Sequence, residues 1–312
     1  MAPRPIILDC DPGQDDALAI LLALGSPDEL EVAAITTVGG NVSLALTTLN
    51  ARKICELAAR PDIQVHAGCP GPILKPLVTA EHIHGPTGLE GADLPEPTMP
   101  LQPGHAVDRI VDELMARDAG TLTLVPTGPL TNVALAMVKE PRVVPRIREI
   151  VLMGGGRTDG NVTPVAEFNI WVDPHAAAVV FQSGVPLVML GLDVTHKALV
   201  TPERLAAIEA LGTPVARAAA GLLDFFNRFD IERYGTPGAP LHDPCTVAYL
   251  LRPELFGGKD CHVAIETEGR HAIGTTVVDW WNAWKRRPNA KVIDRIDADG
   301  FFALLNERLA RL

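Results

Sequence analysis

Four carboxylates crowd into eight residues near the start of the chain: Asp9, Asp11, Asp15 and Asp16. They fall between an apolar run, 5–10, that reads as a buried strand and an amphipathic run, 15–24, that reads as a helix. Asp15 and Asp16 would occupy the first helical turn, where the partial positive charge of the helix favours anions. Capping therefore accounts for one or two of the four, but not for all of them. Holding so many like charges together raises the free energy unless a cation sits among them. Every donor is an oxygen, so a hard cation, calcium or magnesium, is favoured over zinc. An EF-hand is excluded, because Gly13 stands where an acidic ligand belongs and no Glu closes a twelve-residue loop.

Other segments carry groups that suit the same place. Leu241-His242-Asp243-Pro244 sets a possible proton donor beside a possible metal ligand. Its plain reading is an N-cap Asp followed by proline at the first helical position. Val125 to Asn132 follows a strand and offers the main chain of Thr127; its plain reading is a turn with Thr131 as the N-cap. Met153 and the glycines 154–156 would let backbone approach a ligand, and Asn161, Glu167 and Asn169 could hydrogen-bond sugar hydroxyls. Gly39-Gly40-Asn41 and His82-Ile83-His84-Gly85 complete the set. The glycine run does not match a dinucleotide or phosphate loop, and a lone His-x-His lacks the soft ligands of a zinc site.

Positioning these groups requires a scaffold, and the hydrophobic pattern supplies one. Strands are expected at 5–10, 31–38, 63–67, 121–126, 147–153 and 186–191. Helices are expected at 15–24, 43–59, 105–118, 131–138 and 174–182. The strands are almost continuously apolar, as when helices cover both faces of a sheet. Their alternation with helices implies an α/β fold, an open, doubly wound, mainly parallel sheet flanked by helices. The run 202–229 reads as all helix, part of a helical cap region near 200–250. Beyond it come a helix at 242–251, β-rich sequence at 261–279, a strand near 290–296 and a closing helix at 299–311. No low-complexity linker interrupts the pattern, so 1–312 reads as one domain. Two proline- and glycine-rich loops, 68–100 and 234–241, are expected to close over a ligand.

Composition narrows the function classes. With a formal net charge of −11 over 312 residues, the chain is a poor partner for nucleic-acid phosphates. The five cysteines are scattered, with no pair at metal-ligand or disulfide spacing, which suits a reducing, cytoplasmic setting. No apolar run reaches about 18 residues without a charge or breaker, so no membrane partner is expected.

Taken together, DCDPGQDDALAI (9–20), ITTVGGN (35–41), HIHG (82–85), LVPTGPLTN (124–132), VLMGGG (151–156), AEFNIWVDPHAA (166–177) and LHDPC (241–245) resemble the inosine-uridine preferring nucleoside hydrolases. The motifs stand in the family's order from about residue 5 to the C-terminal helix. The resemblance implies hydrolysis of the N-glycosidic bond of ribonucleosides with Ca2+ as cofactor. It implies Asp11, Asp16, Asp243 and the main-chain carbonyl of Thr127 as metal ligands, and Asp11 as the general base toward water. It places Asp15, Asn169 and Asp243 on the ribose hydroxyls, and Asn161 and Glu167 on the 5'-hydroxyl. It sets Asn41 beside the base carboxylate, Met153 and Phe168 around the sugar, and His84 and His242 near the nucleobase. His242 is then the candidate proton donor to the leaving base. A homodimer or homotetramer is the implied assembly.

Base preference rests on finer features. Family members of broad specificity tend to carry several tyrosines in the segment 224–234, whereas this chain has Tyr234 with Phe225, Phe226 and Phe229. Those phenylalanines read equally as core of an amphipathic helix. GAPLHDPC (238–245) and TTVVDWW (275–281) look more like the bacterial pyrimidine-preferring enzymes, so uridine and cytidine are expected over inosine. Two other readings were open to the sequence. A haloacid-dehalogenase-type phosphatase also begins with a strand and Asp-x-Asp, but leaves Asp15 and Asp16 without a purpose. A non-catalytic nucleoside-binding protein would have no use for a general base.

Overall fold

A computed structural model describes residues 2–312, with the side chains of residues 229, 230, 233 and 234 excepted. Phe229 and Tyr234, expected to face the base, therefore lie outside the described residues.

The first strand, β1 (Arg4–Cys10), forms where an unbroken apolar run meets the aspartates. It is followed by β2 (Leu30–Thr37), β3 (Val65–Ala67), β4 (Thr123–Pro126), β5 (Glu149–Met153), β6 (Leu187–Leu190), β7 (Phe256–Ile265), β8 (Thr276–Asp279) and β9 (Ala290–Ile296). They build one nine-stranded sheet in the order β3-β2-β1-β4-β5-β6-β9-β7-β8. The run from β3 to β9 pairs in parallel, and only β7 pairs antiparallel, with β9 and β8.

Alternate residues of the strands feed two apolar layers. Ile6, Leu8 and Cys10 pack with the helices Gln14–Leu24, Leu44–Leu57, Pro214–Tyr234, Pro244–Leu251 and Ala298–Leu309. Ile7 and its counterparts on β4, β5 and β6 pack with Ala106–Ala116, Thr131–Lys139 and Pro174–Gln182 on the other face. This is the open, doubly wound sheet the pattern implies. The chain leaves β1 toward β2 and β3, then returns to β4 on β1's other side. That reversal opens a crevice at the carboxyl ends of β1 and β4, the place where open α/β sheets bind ligands.

Several details depart from the pattern. The stretch 202–229 is two helices, Pro202–Glu209 and Pro214–Tyr234, because Thr213 caps a second start with proline following it. The second helix runs past 229 and ends on Gly235, whose positive φ suits a glycine stop. β7 begins at Phe256, five residues before the expected β-rich stretch, and carries an irregularity at Gly257/Gly258. Glycines there hide the strand from a reading based on apolar alternation. Short helices at Glu81–His84, Phe168–Val172 and Leu192–Thr195 are too brief to show a helical period.

Candidate active site

Each expected segment delivers its side chains to the crevice. β1 ends at Cys10 and hands on to Asp11, β2 leads to Asn41, β4 to Thr127, and β5 ends at Met153. The helix Gln14–Leu24 opens at Gly13 and sets Asp15 and Asp16 in its first turn. Asp243 arrives from the far end of the chain, at the start of Pro244–Leu251.

The carboxylates are buried and crowded. Asp11 and Asp16 are 0% exposed, and Asp15 and Asp243 are buried too. Ligand-capable atoms of Asp15, Asp16 and Asp243 all lie within 4.8 Å of one another. Asp11 stands outside that trio but feels the charge of Asp16 and Asp15. Burial, then Asp16, pushes Asp15 up to about 7. Burial first and neighbouring carboxylates second hold Asp11 and Asp243 well above the ordinary carboxylate range. Burial raises Asp16 as well. Asp243 thus stands against Asp15 and Asp16, carboxylate against carboxylate, with no basic side chain among the described groups that shift them. Asp11 Oδ1 and Asp15 Oδ1 are buried with no partner. Unpartnered carboxylate oxygens, buried and crowded with no basic side chain of the described residues between them, are the donor set of an all-oxygen cation site. The residues present therefore fit a hard divalent cation.

The supporting contacts are specific. Asn41 N–H donates to Asp11 Oδ2 at 2.7 Å, and Asn41 Nδ2 reaches the Asp11 carbonyl at 3.2 Å and Asp16 Oδ2 at 3.3 Å. Thr127 Oγ1 donates to Asp16 Oδ1 at 2.7 Å. Gly40 and Gly128 flank the Asp11 carboxylate; an added Cβ would stand 2.0 Å and 2.5 Å from its oxygens. Asn169 Nδ2 donates to the Thr127 carbonyl at 2.7 Å, which leaves that oxygen one lone pair. The capping explanations fare unevenly. Asp16 accepts from Gly13 N–H at 3.1 Å and so does cap its helix. Asp243 makes no side-chain cap bond. Thr131 is not the N-cap of its helix, which is Leu130; its hydroxyl donates to Asp173 instead. Asp9 belongs with none of these groups. Its Oδ1 accepts from Thr36 and Asn132 at 2.7 and 2.8 Å, a structural tie between strands and helix.

Above the carboxylates lies a cavity of about 340 Å³. Asp15, Asn41, His84, Thr127, Met153, Asn161, Glu167, Phe168, Asn169, His242 and Asp243 all line it. The expected residues thus converge, with Asp11 and Asp16 fully buried beside the others. Glu167 is more committed than its sequence suggests. It caps Phe168–Val172, its two oxygens accepting from the N–H groups of Gly155, Asn169 and Ile170, and burial raises its pKa to about 7. Asn161 Oδ1 accepts from Phe168 N–H at 2.9 Å.

Four histidines, His82, His84, His196 and His242, also line the cavity, and two of them are held in place by named partners. His84 stacks on Phe226 with ring centroids 5.5 Å apart. His242 Nδ1 lies 2.8 Å from Thr195 Oγ1, and its ring is 5.8 Å from that of His196. Burial pushes both His84 and His242 down, His84 to about 3 and His242 well below the usual imidazole value, so both are neutral. Of the weighed phenylalanines, Phe226 is buried and lines the cavity. Phe225 is half-buried under the Arg228 guanidinium.

Sequence reasoning missed Gln14, Thr195, His196 and Trp171. His196 and Trp171 line the cavity, and the other two hold the imidazoles. His196 follows the carboxyl end of β6, a position that could have drawn notice. Gln14 lies inside the DCDPGQDD run but is overshadowed there by its aspartates, and Thr195 falls in no motif. The loop 68–100 supplies the wall from Val78 to His84, tied down by Ile73 N–H to Asp173 and Ala80 N–H to the Asn41 carbonyl.

Comparison with known proteins matches this arrangement to one family. The family model for inosine-uridine preferring nucleoside hydrolase matches residues 6–303. The pyrimidine-specific ribonucleoside hydrolase RihA of Photobacterium profundum is 48% identical over 308 residues, spanning 98% of this chain and 99% of that protein. Among solved structures, the purine-preferring ribonucleoside hydrolase from Gardnerella vaginalis superposes with a TM-score of 0.92 at 34% identity, covering 98% of each chain. The plant nucleoside hydrolase PpNRh1 superposes with a TM-score of 0.91 at 31% identity, covering 99% of each. The chain belongs to the inosine-uridine preferring nucleoside hydrolases and hydrolyses the N-glycosidic bond of ribonucleosides.

Proposed function

We propose that the enzyme is calcium-dependent and prefers pyrimidine ribonucleosides, uridine and cytidine. The observation that carries the metal reading is the buried, crowded carboxylate group with two unpartnered oxygens. Asp11, Asp16, Asp243 and the Thr127 carbonyl would hold Ca2+. Bound calcium would supply the positive charge that orients the ribose diol and acidifies the attacking water.

The chain's own residues do the rest. Asp15, Asn169 and Asp243 hold the ribose hydroxyls, and Asn161 with Glu167 receives the 5'-hydroxyl. Met153 and Phe168 pack on the sugar, fixing its position. As the glycosidic bond breaks, the base leaves with the bonding pair and positive charge builds on the anomeric carbon. The surrounding carboxylates stabilise that charge. Asp11 takes a proton from the water as its oxygen joins the anomeric carbon. Asn41 N–H holds the second Asp11 oxygen at 2.7 Å and so aims the carboxylate. His242, neutral in the free enzyme and oriented by Thr195, is placed to hydrogen-bond the departing base and would pass it a proton only after taking one up as charge develops on that base.

Support for pyrimidines comes from relatives near 48% identity whose names state that specificity, and from Phe226 packed beside His84 at the base end. The purine preference stated for the Gardnerella enzyme, at 34% identity, favours the second reading, inosine. A cytoplasmic homodimer or homotetramer completes the proposal, supported by family resemblance and by five buried free cysteines.

Reverse-phase chromatography of uridine, cytidine, inosine and adenosine incubated with the enzyme tests these points. Base release that stops on chelation, returns with calcium and ranks uridine and cytidine first is expected. Release indifferent to chelation would remove the metal, and inosine ranking first would reverse the base preference. No release from any nucleoside would leave a binding protein.

A further inference from the structure

Gln14 stands beside the two aspartates of the first helical turn, yet its fully buried side chain serves another group. Its Nε2 donates to the His84 carbonyl at 2.9 Å and to the Glu90 carbonyl at 3.3 Å. Carbonyls only accept, so the amide nitrogen must lie at that end, with both its hydrogens engaged. Flipping the amide would set an oxygen against two carbonyl oxygens. Oε1 therefore faces His84 Nδ1, 2.8 Å away. Because Oε1 can only accept, Nδ1 must carry the ring's proton, and in a neutral imidazole the lone pair is then on Nε2.

The ring is confined as well as oriented. Phe226 stacks against it at an interplanar angle of 28°. Gly13 crosses so close that an added Cβ would stand 2.4 Å from Nδ1. With Nδ1 turned to Gln14, Nε2 is the polar atom His84 has left for the cavity it lines. Burial keeps the ring neutral by pushing its pKa down to about 3.

We propose that Gln14 is a positioning residue that locks His84 in the Nδ1–H tautomer, so that His84 meets the nucleobase as a hydrogen-bond acceptor through Nε2. The proposal rests on the nucleoside hydrolase reading of the cavity. It makes His84 a selector for bases that present an N–H to that wall, such as the ring N3–H of uracil or the exocyclic amine of cytosine. It also removes His84 as the proton donor to the leaving base, since its cavity-facing nitrogen has no proton to give.

Four measurements test this. Nitrogen-15 NMR of histidine-labelled native enzyme reads which ring nitrogen of His84 carries the proton. Uridine against 3-methyluridine reads the acceptor, with about tenfold or greater preference for uridine in kcat/KM expected from one lost hydrogen bond to a buried partner. Gln14→Leu should release the tautomer and bring that ratio down toward one. A purely steric rejection of the methyl group would persist in the variant. Hydrolysis of 4-nitrophenyl riboside, whose leaving group has no N–H, reports the sugar chemistry separately. Cleavage of that riboside with no preference for uridine over 3-methyluridine would overturn the proposal and leave the hydrolase reading standing. Failure to cleave any riboside would count against the hydrolase reading instead. A proton on His84 Nε2 in the native enzyme would overturn the tautomer lock outright, whether or not the variant folds.

Discussion

Calcium should stabilise the folded enzyme more at about pH 8 than at about pH 5.5, and the carboxylates set the size of the difference. Asp15 moves from 3.8 to about 7 through burial and the charge of Asp16. Without calcium, the folded state binds more protons than the unfolded chain between those values. The contribution of Asp15 is thus complete below the unfolded pKa and is lost as pH rises through the folded one. From about pH 5.5 to 7 the loss covers roughly 1.5 pH units, or about 2 kcal/mol. Asp11 and Asp243, raised for the same reason, act in the same direction. A cation held by Asp11, Asp16 and Asp243 would draw the neighbouring Asp15 back toward the ordinary carboxylate range and remove the penalty. His84 and His242, held neutral by burial, act oppositely, gaining stability as pH rises through the unfolded imidazole value. They are present with and without calcium and drop out of the difference. About 2 kcal/mol corresponds, for a chain of 312 residues, to an extra calcium-induced rise in Tm of roughly 3 °C. Scanning calorimetry at the two pH values, with excess calcium or with chelator, measures it. A calcium-induced shift independent of pH, or larger in acid, would refute the assignment of the metal to these carboxylates.

Two substitutions probe the site from either side. Thr127→Val keeps the carbonyl but removes the hydroxyl that donates to Asp16 at 2.7 Å; calcium affinity by titration calorimetry should fall about 10–100-fold, and unchanged affinity would deny that hydroxyl a part in holding the ligand. Phe226→Ala removes a ring that is 3% exposed and supports His84; urea unfolding should show a loss of about 3–5 kcal/mol, and a loss below about 1 kcal/mol would mean the pocket collapses around the gap.

Much of the scaffold was legible before any coordinates. Apolar runs of strand length alternate with helical ones, and a parallel sheet with both faces covered is what buries such runs. The carboxylate cluster was legible for a similar reason: four like charges at the end of a buried strand demand either solvent or a cation. Local pattern was less informative where function and packing share a residue type. Asp9 counts as a fourth carboxylate in the sequence, but Thr36 and Asn132 engage it structurally. Glu167 reads as a sugar-binding group, yet three backbone N–H groups already hold its oxygens. Phe225 and Phe226 are neighbours in sequence, and helical rotation alone sends Phe226 to the cavity.

By itself, the sequence determined the order of strands and helices, the family, and which residues would gather at one sheet edge. These follow from periodicity and from motifs short enough to be read locally. Only the tertiary structure decided how those groups are partnered. Asp243 reaches Asp15 and Asp16 because the helix Pro244–Leu251 packs on the same sheet face as Gln14–Leu24. Gln14, unremarked between a glycine and two aspartates, fixes the protonated nitrogen of His84 through a hydrogen bond that exists only once the chain has folded back. Hydrogen bonds between residues far apart in sequence depend on distances of a few tenths of an ångström, and no pattern of residue types along the chain encodes those distances.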